Sequence, residues 1–169
     1  MKLTYLFILT LFTMSASAQD LNKTVQDTIK GKPVMINLCS RQGITAFPEM
    51  KERYDEGYES YSPDSTILVN LKPLVANKQI TIVLGTWCSD SKLYVPYFLK
   101  LADLAGIKEK DLTFICVDGE KKADHGLLND LNIELVPTFI VYGMGKELGR
   151  IVEGPQNTLE EDLLTILKK

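Results

Sequence analysis

Cysteine is scarce in this chain. Cys39, Cys88 and Cys116 are the only 3 thiols in 169 residues. Any single bridge among them leaves one thiol over, which excludes a disulfide framework and points to a reactive or intermolecular thiol. Histidine is scarcer still: His125 stands alone, among Lys121, Lys122 and Asp124, and reads as a surface-loop side chain. With one histidine and no Cys/His pair at ligand spacing, no metal site and no cofactor are expected. Positive charge is not in excess, with 19 Lys and Arg against 22 Asp and Glu and a formal charge of −3, so nucleic acid is not an expected partner. Low-complexity tracts and fixed-period repeats are missing. Glycine-rich phosphate loops are missing too, since Gly143-Met144-Gly145 opens no helical pattern and reads as a hairpin turn.

One long apolar run exists, at residues 3–14, and it is shorter than the ~20 residues a membrane-spanning helix needs. Met1-Lys2 precedes it, and the small residues Ser15-Ala16-Ser17-Ala18 follow. A positive start, an apolar stretch and an A-x-A site are the parts of a secretory signal peptide. Residues 1–18 are therefore expected to be removed before Gln19, with no stable membrane anchor left behind. The mature chain is then expected to be exported, in a compartment where disulfides persist.

The whole sequence is 45% hydrophobic and 24% charged, which suits one globular domain with modest additions. Residues 19–77 read as a mainly helical extension packed on the core. A short helix is expected over 21–29, ended by Gly31 and Pro33. A strand follows over 34–39, an edge strand in this reading because Pro33 stands at its start. Residues 40–45 read as loop. Met50, Tyr54, Tyr58 and Tyr61 fall on one helical face, the half-buried face that docks this helix on the core. Ser62-Pro63-Asp64 breaks it, and Asp64 or Ser65 caps a successor with Ile67, Leu68, Leu71 and Leu74 inward.

From residue 78 the pattern alternates. A continuous apolar strand is expected over 80–86, of the kind buried at a sheet centre. A helix is expected over 92–104, interrupted by Pro96 and closed by Gly106. A strand over 112–117 contains Cys116, flanked by Ile115 and Val117, and that thiol reads as inert core. A short helix is expected over 121–131. Strands over 137–142 and 147–152 form a hairpin. A last helix runs to Leu167 from a cap at Asn157 or Thr158. The order βαβ, helix, ββα predicts an α/β sandwich: a mixed β-sheet with helices on both faces, three layers in all.

Where the first of these strands ends, the chain reads Trp87-Cys88-Ser89-Asp90-Ser91. A cysteine at the junction of a strand and a helix is presented for chemistry. Backbone N–H groups at a helix start favour an anion, and thiolate is the nucleophilic form. Asp90 opposes this, because a nearby carboxylate disfavours a second negative charge. No threonine stands three residues before Cys88, where a peroxidase site would need one; that residue is Gly85.

Strand, Trp-Cys-x-x-Ser, a helix carrying Pro96, then Val136-Pro137-Thr138 before a hairpin resembles the thioredoxin-like family. Pro96 matches the proline of the family's active-site helix, and Val136-Pro137-Thr138 matches its cis-proline signature. Gly154 lies near the family's late glycine. The resemblance covers residues 78–169, and with the N-terminal segment it resembles exported bacterial members, hence a periplasmic location. It implies that Val136 and Pro137 lie beside Cys88 and shape a site for an extended partner. It implies that Trp87 covers that site and that Ser91 supports the thiolate by donating to the Cys88 sulfur. Partners would be protein or small-molecule thiols and disulfides. Two departures stand out. Ser91 replaces the second cysteine of a dithiol motif, and Ile82 occupies the place of a buried acid six residues before the cysteine. What is left is a monothiol, able to form a mixed disulfide but dependent on another thiol for release. Cys39 is a candidate resolving thiol if its segment folds over the site; the other reading is a buried small hydrophobe. The alternative to exchange chemistry is a non-redox binding or assembly module on the same fold.

Overall fold

In a computed structural model of the protein, the structure describes residues 21–169. The expected signal segment lies outside the described residues. No helix of the described residues is long and apolar enough to cross a membrane.

The chain folds as β1 (Lys23–Asp27), β2 (Lys32–Cys39), α1 (Arg41–Ala46), α2 (Pro48–Ser60), α3 (Ser65–Leu71), β3 (Lys78–Leu84), α4 (Ser89–Ala105), β4 (Leu112–Cys116), β5 (Thr138–Gly143), β6 (Lys146–Val152) and α5 (Leu159–Leu167). The strands form one six-stranded sheet in the order β1-β2-β4-β3-β5-β6. Only β3 and β4 run parallel; the other neighbours are antiparallel. The parallel pair is central and buried, as its continuous apolar sequence requires.

Local chemistry explains the boundaries. Ser40 caps α1 by accepting the Gly43 N–H, and Asp64 caps α3 by accepting from Thr66 and Ile67. Pro48 opens α2, where its missing N–H costs nothing. Gly106 ends α4 in the left-handed conformation at φ 89°, which a residue without Cβ adopts freely. Thr158 caps α5 through the Glu161 N–H.

Four sequence expectations are corrected. Residues 21–29 contain strand β1, because Lys23 to Asp27 find backbone partners along Ile36 to Lys32 that a nine-residue helix could not match. That pairing covers β2, so β2 is an interior strand rather than an edge. Residues 40–45 hold helix α1, started by the Ser40 cap. Residues 121–131 are not helical: Lys121, His125, Gly126 and Asp130 all have positive φ, which breaks any right-handed run into turns. The extension is thus mainly helical, as read, but it also supplies two strands to the sheet.

Alternation along the strands creates two cores. Ile80, Ile82 and Leu84 of β3 point to one face, where all five helices contribute buried residues. Phe98 of α4 stacks on Phe139 of β5 there, with ring centroids 4.3 Å apart. Val83, Ile115 and Val117 point to the other face, which the turns around Leu127, Leu128 and Leu131 cover, so the helices expected on both faces pack on one and turns form the third layer. The helix-facing core locks α4 against β5, and so fixes the two backbone segments that meet at the site.

Candidate functional site

Cys88 sits at the N-cap of α4, with φ −83° and ψ 130°, one residue before the helix begins. The preceding turn is tied down at three points. The Cys88 N–H donates to the Gly85 carbonyl at 2.9 Å. The Thr86 hydroxyl accepts the Met35 N–H at 3.2 Å, anchoring the turn to β2. The Gly85 N–H donates to the Ser91 hydroxyl at 3.2 Å. Cys88 is half-buried, and its thiol donates to the Val136 carbonyl at 3.1 Å.

Val136 and Pro137, joined by a cis peptide bond, therefore lie at the sulfur. They are positioned from the far side of the sheet: Val136 is packed with Val83, Ile115 and Val117, and the Pro137 carbonyl accepts the Glu153 N–H at 2.7 Å. Trp87 lies beside them. Its indole N–H donates to the Val117 carbonyl at 3.0 Å, and its ring rests on Gly85. A Cβ at Gly85 would stand 2.7 Å from the ring, so this glycine permits the contact.

Two expectations about the site are corrected. The Ser91 hydroxyl, fully buried, serves the Gly85 N–H and makes no hydrogen bond to the Cys88 sulfur. Its effect on the site is to hold the turn. Cys39 does not reach Cys88. It is buried in the helix-facing core, whereas Cys88 packs against the opposite cluster. The register pairs Cys39 with Phe114 and Asn37 with Cys116, so Cys39 and Cys116 are diagonal neighbours on one face. Burial, with Cys39 beside it, pushes the Cys116 thiol well above its ordinary value. All three cysteines are free. His125 is exposed in a turn at φ 57°.

Sequence reasoning missed the contribution of the β1–β2 hairpin. The Asp27 carboxylate accepts the Ile29 and Lys30 N–H groups at 2.8 and 2.7 Å, and the Gly119 N–H at 2.5 Å. The Lys30 and Gly119 N–H groups hold its carboxyl below the ordinary value. This clamp fastens the hairpin turn to the loop after β4, and Lys30 then lies 3.8 Å over the Trp87 ring, within cation–π range. Asp27 followed by a turn ending in Gly31 was the available local signal; the tie to Gly119, 92 positions away, had none.

A cleft of about 430 Å³, lined in part by Trp87, opens nearby. It runs between α2 and the start of α4, with Ser89 and Lys92 on one wall and Arg53 and Ser60 on the other. Lys92 is steadied by Glu49 at 3.1 Å, which also pairs with Lys32 at 2.6 Å.

The chain is similar in sequence to two plant thioredoxins. Thioredoxin H9 of Arabidopsis thaliana is 27% identical over 83 residues, covering 49% of this chain and 55% of that protein. Thioredoxin H2-1 of Oryza sativa subsp. japonica is 30% identical over 82 residues, covering 48% and 55%. The fold is thioredoxin-like. The chain spans about half the length of the curated relatives it matches. No family model matches it. In three dimensions it is similar to a protein of unknown function from Pseudomonas aeruginosa, with TM-score 0.58 and 16% identity over 76% of this chain and 91% of that one. An HIV epitope-scaffold gives TM-score 0.56 at 17% identity, over 73% and 87%. The thioredoxin-like relationship rests on the sequence matches, and these structures support the fold alone.

Proposed function

We propose that this thioredoxin-like protein is an exported, periplasmic monothiol that exchanges with disulfides of proteins or small molecules, using Cys88 as its single nucleophile. The observation that carries this reading is the Cys88 thiol, half-exposed and held 3.1 Å from the Val136 carbonyl at the N-cap of α4. Attack by its thiolate on a partner disulfide forms a mixed disulfide and expels the partner's second sulfur as thiolate. Val136 and Pro137 shape the surface met by an extended partner, Trp87 covers it, and Ser91 keeps the turn in place. With Ser91 in the second position and Cys39 in the opposite core, the resolving thiol comes from outside the chain.

A second reading has its own support. The Cys88 thiol is already satisfied by Val136 and the Ser91 hydroxyl by Gly85, an arrangement equally suited to a non-redox binding module. Cys88→Ala separates them. Exchange chemistry predicts loss of activity in the cell and loss of all mixed-disulfide capture; unchanged activity in the cell would exclude it. Mass mapping of thiols before and after mild oxidation should find Cys88 modified and Cys39 and Cys116 spared.

A further inference from the structure

A monothiol turns over only if a second thiol reaches its mixed disulfide, and the cleft beside Cys88 is placed to hold one. We infer that the cleft between α2 and α4 binds a low-molecular-weight thiol carrying a carboxylate, which resolves the mixed disulfide on Cys88. The inference rests on the exchange reading above.

Position comes first. Trp87 and Ser89, the residues on either side of Cys88, both line the cleft. A molecule seated there lies against the two residues that flank the sulfur, and Val136 and Pro137 are not part of the cleft wall. Size comes second. About 430 Å³ accommodates a molecule of a few amino acids and not a folded partner. The opposing wall is held close by Gly57 of α2, where a Cβ would stand 3.0 Å from Pro96 of α4. The gap is therefore set by packed backbone rather than by mobile side chains.

Charge comes third. Lys92 lines the cleft, and its partner Glu49 is shared with Lys32, so two lysines face one carboxylate. Arg53 stands opposite and touches Glu56, the acid that lines the cleft, only at 3.7 Å with both side chains largely exposed. That contact is weak and easily exchanged for a ligand carboxylate, which the planar guanidinium can grip through two N–H groups. The Ser60 and Ser89 hydroxyls supply further hydrogen-bonding groups. Among the lining charges Arg53 and Lys92 outnumber Glu56, so an anionic thiol gains more here than a neutral or cationic one.

The chemistry balances. The bound thiolate attacks the Cys88 sulfur of the mixed disulfide, and the substrate sulfur leaves as thiolate and takes a proton from water. A second molecule of the same thiol attacks the first one's sulfur, forming its symmetrical disulfide and releasing the Cys88 thiolate. Two thiols are oxidised and one substrate disulfide is reduced.

The test uses the whole mature protein carrying a thiopyridyl group on Cys88, formed with dithiodipyridine. Release of thiopyridone is followed by absorbance on adding glutathione, 2-mercaptoethanol or cysteamine, with rates compared at equal thiolate concentration. Glutathione should saturate and exceed the other two by about fivefold to tenfold, the scale of one or two well-placed surface charges. Arg53→Glu, an exposed change that leaves the fold intact, should abolish that excess and leave mercaptoethanol unaffected. Glutathione release that stays linear and no faster than mercaptoethanol, or an Arg53→Glu effect equal for all three thiols, would overturn the inference and leave Cys88 exchange standing. Failure of Cys88 to form the thiopyridyl adduct in the native protein would overturn the exchange reading itself, and the cleft assignment with it.

Discussion

Gly85→Ala offers a direct test of how the site is built. Gly85 has no positive φ, so alanine fits its backbone. What it does not fit is the indole of Trp87: the new methyl would stand 2.7 Å from Cε2, 2.8 Å from Nε1 and 3.0 Å from Cζ2. The ring cannot yield freely, because its N–H is bonded to Val117 and Lys30 lies over it. Overpacking costs ~1–3 kcal/mol and a lost indole hydrogen bond ~1 kcal/mol, while the stiffer unfolded chain returns ~0.4–1 kcal/mol, for a net loss of ~1–4 kcal/mol. The assay is simple because Trp87 is the single tryptophan. Its emission should shift as the ring is pushed outward, and urea unfolding followed by circular dichroism should give the stability loss. In a Trp87→Ala background the same substitution should be neutral or slightly stabilising, since nothing remains to collide with. An equal cost in both backgrounds, or an unchanged emission spectrum, would refute the contact as the reason for glycine at this position.

Two further outcomes are expected. Glu160, nearly buried, accepts the Tyr61 hydroxyl at 2.5 Å and the Asp64 N–H at 2.9 Å, latching α5 to the turn between α2 and α3. Burial pushes its carboxyl up, but the Tyr61 hydroxyl and the Asp64 N–H outweigh this and hold it below the ordinary value. A depressed carboxyl stabilises the fold fully above the unfolded value of ~4.3 and loses that contribution as pH falls through the folded one. Glu160→Gln should therefore cost ~1–2 kcal/mol at neutral pH, as charged hydrogen bonds become neutral ones, and should flatten the acid limb of the stability curve; an unchanged acid limb would count against the latch. Ser91→Cys places a thiol one helical turn from Cys88 with little change in volume. The oxidised variant should lose two alkylatable thiols and reduce protein disulfides faster than the parent, and no gain in rate would mean that the site is not built for exchange.

Much of the protein was legible in its sequence because it depends on near neighbours. The continuous apolar strand before Trp87, the helix that follows Cys88, a cap at Asp64 or Ser65 and the hairpin at Gly143–Gly145 are local matters of periodicity and turn chemistry, whereas the strand's end at Leu84 and the helix's start at Ser89 differ from the expected 86 and 92. Ser91 in place of a cysteine is covalent fact, and no fold alters it. Tertiary structure decided what depends on distant backbone. Lys23 to Asp27 became a strand because β2 offered hydrogen-bond partners, and residues 121–131 became turns because the sheet's second face was closed by residues in left-handed conformations. Pleat alternation sent Cys39 into one core and Cys88 towards the other, a separation that spacing along the chain does not encode. The Ser91 hydroxyl found Gly85 rather than sulfur because the turn folds back over it. The sequence by itself determined that a lone thiol is presented at the start of α4. Only the folded chain decided that its neighbours are a proline-linked carbonyl, a lysine-capped indole and a polar cleft, because each of these is brought there by packing between elements far apart in sequence.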